Sequence, residues 1–432
     1  MWESSRAKRI RTVIINVLLI LFILAILGGL LFGMRYVRQI SAAQDAQLSE
    51  IYVQQKQEQD AARVESVNAI QAEYEKDMQT VAQYVPGIVC WGDETTAGTT
   101  GYLNYPYVLQ TYINTYFCDI YDFASSIENA AEFSRLKWDD YKLQIPVVNM
   151  GVGKESTYTI LGRSGAVPYV VREDFVIPAD TEPVGMLIQS EAGKTVTPLI
   201  GGNAGVNNVT INGVEGTLTI DSDYYYYNGY CNYYFTRLTP GTEVPVSAGT
   251  VVKTAATDMY KDYIHVVLIG TYGEYEGAED LVRQVKTLLA RQTQNSDRFI
   301  VLGPYTDSLY TMSHYELDAI DNSMMQAFGS RYISIRKYLL GNGYIDAGIS
   351  PSGEDPYYIG NDIVPPSFRV SSESMELNSI SHKLIGKLIF TRMESLGYFD
   401  EIKAELNLTE TTKQILKDDP SYFDTMIKTV LK

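Results

Sequence analysis

The chain has 432 residues, 45% of them hydrophobic, with 52 acidic and 35 basic side chains and a formal charge of −17. A large core is therefore available, the length suggests about two or three domains, and the acidic balance argues against a nucleic-acid partner. Three cysteines, Cys90, Cys118 and Cys231, imply no disulfide framework, and no cysteine or histidine cluster has zinc-ligand spacing.

Residues 1–11 are a short basic N-terminus with Arg6, Lys8, Arg9 and Arg11. Residues 12–34 then run without a charged side chain, and about 20 apolar residues span a bilayer as a helix. A cleavable signal peptide has a shorter apolar region, so the stretch reads as an uncleaved transmembrane anchor. Only Arg35 and Arg38 follow closely, and the excess of basic residues before the span places the N-terminus in the cytoplasm and the remainder outside. Residues 1–38 carry six basic side chains and one glutamate, net +5, which leaves −22 on residues 39–432. That charge suits a soluble domain held at the plasma-membrane surface.

Residues 35–84 predict a helical stalk. From 39 onward they contain neither proline nor glycine, and Leu48, Ile51, Tyr52, Val64, Val67, Ile70, Tyr74, Met78 and Val81 fall mostly at three- and four-residue steps. Two readings stay open, a solvated spacer and a parallel coiled-coil homodimer with irregular heptads. Pro86 and Gly87 end the helix.

Beyond them apolar strands alternate with helices. Strands are predicted at 88–91, 144–148, 264–269 and 299–302 with a short one near Tyr332–Ile335, and helices at 277–291, 314–328 and 378–396. This alternation predicts a parallel, doubly wound α/β sheet, with function at the carboxyl ends of its strands. Residues 163–255 break the pattern with short β-like runs at 169–171, 184–188, 206–211, 216–220, 233–236 and 250–254, separated by Gly, Pro and Asn. They read as an inserted β-rich subdomain, a sandwich or a partial barrel. Tyr224–Tyr227, Tyr230, Tyr233 and Tyr234 within it are either cross-strand packing pairs or a stacking surface for sugar rings or bases. Residues 399–432 read as a polar helical extension.

Four segments in order resemble the SGNH (GDSL) hydrolases: Gly92-Asp93-Glu94 after the first strand, Asn149-Met-Gly-Val-Gly-Lys-Glu-Ser156 after the second, Gly270-Thr271-Tyr272 after the third, and Glu373-Ser-Met-Glu376 before the last helix. The resemblance covers 85–162 and 256–398. It implies a flavodoxin-like three-layer α/β/α domain and an ester hydrolase ancestry. In that family the four blocks supply a serine nucleophile, an oxyanion-hole glycine, an oxyanion-hole asparagine, and an acid with a histidine base. The matching positions here are Glu94, Lys154, Tyr272, Glu373 and Glu376, with Asp93 beside the nucleophile position.

A carboxylate offers no hydroxyl to a serine-type triad. His265 lies in an apolar strand, His382 on the last helix and His314 at the start of a distant one, so none completes a Ser-His-Asp set. The resemblance thus implies a pseudoenzyme that binds or scaffolds at the cell surface, with a glycan or a protein as ligand and no cofactor. Three alternatives remain: a carbohydrate or cell-wall esterase with a non-standard site, a paired-carboxylate hydrolase, and a Ca²⁺ site built from Glu94, Glu373 and Glu376. Glu94 and Lys154 are expected to meet as a partly buried ion pair.

Overall fold

The computed structural model describes residues 3–98, 102–118, 143–194, 196, 205–220, 233–306, 308 and 312–431. The chain divides into two compact units, 1–73 and 74–432. The first unit is helical throughout its described length, as part of a helix that spans Glu3–Tyr84. An 18-residue window of this helix has mean hydropathy 3.0, so by length and composition the helix can cross a membrane. Leu48, Ile51, Tyr52 and Val64 are exposed along it.

The second unit holds the last turns of that helix, where Val81 and then Val85 are buried in its core. Its centre is a five-stranded, all-parallel sheet. The strands are β1 (Ile88–Gly92), β2 (Val147–Gly151), β12 (Ile264–Leu268), β13 (Phe299–Leu302) and β14 (Tyr332–Ile333), in the spatial order β2-β1-β12-β13-β14. Strand β1 is buried along its whole length, as a central parallel strand must be. Its side chains alternate between two cores. Ile88 and Cys90 face helices 105–113 and 379–395, while Val89 and Trp91 face helices 157–164, 278–289 and 314–328. The two-residue period of a strand divides one apolar run between both faces.

The edge strand β2 begins three residues later than the apolar run 144–148 suggests. Pro146 has no N–H to give to a ladder; its carbonyl instead accepts from Ile88 N at 2.8 Å. The Gln110 side chain closes the gap, accepting from Val147 N at 2.7 Å and donating to Ile145 O at 3.0 Å.

Between β2 and β12 the chain builds strands β3 (Tyr169–Val171), β4 (Phe175–Ile177), β5 (Val184–Met186), β6 (Ile188–Ser190), β7 (Val209–Ile211), β8 (Val214–Ile220), β9 (Tyr233–Arg237), β10 (Val244–Val246) and β11 (Val251–Lys253). Seven of them form an antiparallel sheet in the order β5-β9-β8-β7-β11-β3-β6, and β4 pairs with β10 as a two-stranded ribbon. Tyr169, Ile211, Leu218, Tyr233 and Phe235 lie in a third core. Tyr233 is thus a packing residue, whereas its neighbour Tyr234 is exposed. Tyr224–Tyr227, Tyr230 and Cys231 lie outside the described residues. Cys90 is a buried free thiol.

The C-terminal stretch forms helices 400–405, 408–418 and 422–430. It is part of the first core rather than an appendage: Leu408, Phe423, Ile427 and Leu431 are buried there, and Phe423 stacks on Tyr116 at 4.0 Å between ring centroids. Removing a buried aromatic ring costs about 3–5 kcal/mol. Phe423→Ala is therefore expected to lower unfolding free energy by about that amount in a urea titration, and a loss below about 1 kcal/mol would show that the tail is dispensable.

Candidate functional site

In the order β2-β1-β12-β13-β14 the chain leaves β1 toward one edge and returns on its other side at β12. Such a reversal leaves a crevice at the carboxyl ends of the two strands. The loops after β1 and β12 carry Glu94 and Tyr272, and the Tyr272 hydroxyl donates to Glu94 Oε2 at 2.6 Å. Glu94 also shares a hydrogen bond with Glu376, from the loop ahead of helix 379–395. Three residues from three distant segments thus meet where the topology opens.

Close backbone approach makes this possible. A Cβ on Gly151 would lie 2.1 Å from Ala97 N, and one on Gly92 would lie 2.1 Å from Thr96 Oγ1 and 2.9 Å from Leu268 O. Only glycine fits such contacts, and with both in place the short helix Glu94–Ala97 sits directly on the ends of β1 and β2. Asp93 caps that helix by accepting from Thr95 N at 3.0 Å. Asn149 ties it to β2, donating from Nδ2 to Ala97 O at 3.3 Å while its Oδ1 accepts from Gly151 N at 2.9 Å. The hydroxyls of Thr95 and Tyr305 are 2.7 Å apart, and Tyr305 donates to Met375 O at 3.1 Å, which anchors the loop bearing Glu376.

The electrostatics follow from burial and proximity. Burial and the hydrogen bond to Glu376 push the Glu94 carboxyl above its ordinary value, against the Tyr272 donor and the more remote charge of Lys154. A neighbouring carboxyl disfavours the ionised form of Glu94, as burial does. Asp93 is fully buried, and burial pushes it up to about 7 against the nearby Thr271 and Thr95 hydroxyls and the Thr95 amide. Burial and the carboxylate of Glu94 push the Tyr272 phenol far up, so it remains a donor.

Two expectations fail. Lys154 is exposed, sits at φ +64° and makes no ion pair with Glu94. The left-handed backbone at 154 turns its side chain to water, while Gly153 lies against Glu94 instead, with a Cβ there falling 3.9 Å from the Glu94 carboxyl. Glu373 is exposed in the turn before Glu376 and does not join the pair. Among the described residues no three His, Cys, Asp or Glu side chains lie close enough to hold a metal ion, so Glu94, Glu373 and Glu376 do not form the Ca²⁺ cluster.

Neither buried histidine offers a base. His265 and His382 are buried and pushed down to about 4 by burial, and His265 Nε2 is 3.0 Å from Tyr260 O. Ser156 donates to Glu274, and Ser374 Oγ accepts from Glu376 N at 3.1 Å. Among the described residues no histidine ring is hydrogen-bonded to a serine hydroxyl.

Sequence reasoning missed the ion pair that supports this rim. Arg163 and Glu155 are both fully buried, with Nη2 to Oε2 at 2.6 Å and Nε 3.0 Å from Oε1. Arg163 also donates to Met150 O at 2.8 Å, and its guanidinium lies 5.5 Å from the Trp91 ring centroid. Burial pushes Glu155 up, opposed by Arg163. The only signal was an arginine inside the otherwise uncharged helix Thr157–Ser164; the eight-residue separation matches no helical pairing rule.

No family model matches the chain, and no curated protein or solved structure is significantly similar to it.

Truncating one partner of a buried pair leaves the other charged and unpaired, at about 3–5 kcal/mol. Arg163→Ala is expected to destabilise the domain by that much in denaturant titration. Lys154→Ala should stay within about 0.5 kcal/mol of the parent, as for any exposed unpaired side chain. Comparable losses in the two variants would return Lys154 to the core of the site.

Proposed function

We propose that this chain is a membrane-anchored, SGNH-hydrolase-like protein whose flavodoxin-like α/β/α domain binds or scaffolds outside the cytoplasm and does not hydrolyse esters. The observation that carries this reading is the seat of Glu94. It stands at the nucleophile position of the resembled family, at the switch point of a sheet with strand order 2-1-3-4-5, which is the flavodoxin-like order. Its carboxyl is engaged by Tyr272 and Glu376. The positions of nucleophile, base and amide donor are therefore satisfied by one another. An acyl group entering the crevice would meet an acid pair and a phenol rather than an activated hydroxyl.

The apolar helix supplies the anchor. The basic residues that precede it support a cytoplasmic N-terminus, with residues 39–432 outside at the plasma membrane. The exposed apolar residues of the stalk leave room for a homodimer through it. The ligand would be a surface glycan or a protein.

One observation favours a second reading. The neighbouring carboxyls of Glu94 and Glu376 resemble the acid dyads that activate water. If the site is catalytic, then, it works through this carboxyl pair rather than as a serine esterase.

Three measurements test these readings. The full chain should not turn over p-nitrophenyl acetate, and Glu94→Ser should not confer turnover, because Glu376 cannot replace a histidine base. Clear turnover by the parent that is lost in Glu94→Gln would overturn the non-catalytic reading.

The second measurement is the pH dependence of stability. Because Glu94 titrates above its ordinary 4.5 when folded, its stabilising contribution is complete below that value. It is lost as pH rises through the raised one. Glu94→Gln keeps the neutral form at every pH. The melting temperature of Glu94→Gln relative to the parent should therefore climb as pH rises above about 4.5, and a difference that is flat or falls with pH would show that the Glu94 carboxyl is not raised.

Third, protease added to intact cells should release the bulk of the chain; full protection would reverse the orientation.

A further inference from the structure

A cleft of ≈ 300 Å³ is lined by Tyr158, Lys194, Glu274, Tyr275, Glu276 and Asp280. It lies where the β-rich insertion meets the parallel domain. Lys194 follows strand β6 of the insertion, Tyr158 is on the helix after β2, and Glu274–Glu276 follow β12. Its volume is at the lower end of the range for small-molecule sites, about 300–1,000 Å³.

The polar groups of this cleft already have partners within the protein. Asp280 pairs with Arg283 and accepts from Glu276 N at 2.7 Å. Lys194 reaches Glu276 Oε1 at 3.1 Å, with both side chains exposed, and Ser156 donates to Glu274. The cleft thus sets donors and acceptors beside two half-buried phenol rings, Tyr158 and Tyr275, each packed on the second core. Flat rings backed by a core offer apolar faces, and carboxylates and an ammonium offer hydrogen bonds in several directions. A pyranose has this combination on its own surface, with C–H faces and a rim of hydroxyls.

We propose that this cleft is a saccharide-binding site for a single sugar ring of a larger glycan, set between the insertion and the parallel domain. It rests on the reading of the chain as a binding protein, and it uses neither Glu94 nor Glu376. Tyr158 and Tyr275 take the faces of the ring, Lys194 donates to a ring hydroxyl, and Glu274 and Glu276 accept from others. An organic ammonium is the competing ligand, because Glu274, Glu276 and Asp280 outnumber Lys194 and Arg283 and the same aromatic rings could serve through cation–π attraction.

The test uses the full chain in a detergent without a sugar headgroup. A printed glycan array of neutral, amino and uronic sugars identifies the best saccharide, which is then titrated by calorimetry alongside tetramethylammonium. Saccharide binding should be at least about tenfold weaker in Tyr275→Ala and in Lys194→Ala, while tetramethylammonium gives no heat. Lys194 is exposed, so its variant keeps the fold, and an unchanged melting curve verifies this. No array signal above that of the Tyr158→Ala/Tyr275→Ala double variant would overturn the proposal, as would saccharide binding indifferent to Lys194→Ala and Tyr275→Ala, or binding of tetramethylammonium in place of sugar. Glu94→Gln should leave the saccharide affinity unchanged; a loss there would move the sugar into the crevice at the switch point and refute the separate cleft. Ester turnover bears on the crevice alone.

Discussion

The guanidinium of Arg163 is the joint on which the candidate site depends. It is fully buried, yet it touches Glu155 of the loop after β2, the Met150 carbonyl of β2 itself, and the ring of Trp91 on β1. The backbone carbonyl of the same residue accepts from Thr254 Oγ1 at 2.7 Å, at the point where the chain leaves the insertion. A buried ion pair contributes little net stability compared with apolar packing, because desolvation offsets the attraction. Its effect is to restrict alternatives. Any arrangement that separates Glu155 from Arg163 leaves a charge in the core, so the end of β2, the helix after it and the return from the insertion have one acceptable relation.

Upon this joint the crevice holds an acid pair, and its chemistry is set by proximity more than by composition. Glu94, Glu376 and Tyr272 would be unremarkable acids and a phenol in water. At the switch point Glu94 is held toward its neutral form by burial and by the nearby Glu376. Tyr272 adds a donor that stabilises the ionised partner. The arrangement is self-satisfied. That is why Glu94 is not an activated nucleophile.

Much of this fold is legible in the sequence because its signals are local. The uncharged span of residues 12–34 announces the apolar helix. Four buried runs separated by helices announce a parallel sheet, and Phe299–Leu302 and the helix His314–Phe328 lie where their apolar periodicity puts them. The start of β2 is less legible, since Pro146 and the reach of Gln110 decide it and the apolar run alone does not. In the site, Glu94, Tyr272 and Glu376 were found as positions in a motif and do converge. The side-chain direction of Lys154 was not foreseeable, because it follows from a left-handed backbone at a position where the resembled family has glycine. The partnership of Arg163 with Glu155, and the burial of Phe423 against Tyr116, are long-range or aperiodic contacts that no spacing rule reports.

The residues that make the crevice are not those that would perform chemistry in it. Gly92 and Gly151 permit the close crossing, Asp93 caps the short helix, and Asn149 fastens that helix to β2; each acts on backbone geometry. Glu94, Tyr272 and Glu376 project from the resulting rim and contribute few of the contacts that hold it. Strain and packing therefore constrain the first group tightly, whereas the second can change its chemistry without unmaking the turn. This separation explains how one backbone turn can carry an acid pair at its centre. It also locates where binding can develop. The loops after β2 and β12 are fastened to each other by Thr157, whose Oγ1 donates to Gly273 O at 2.7 Å. They carry the crevice on one side and the tyrosine-lined cleft on the other, so one rigid pair of loops serves two neighbouring concave surfaces.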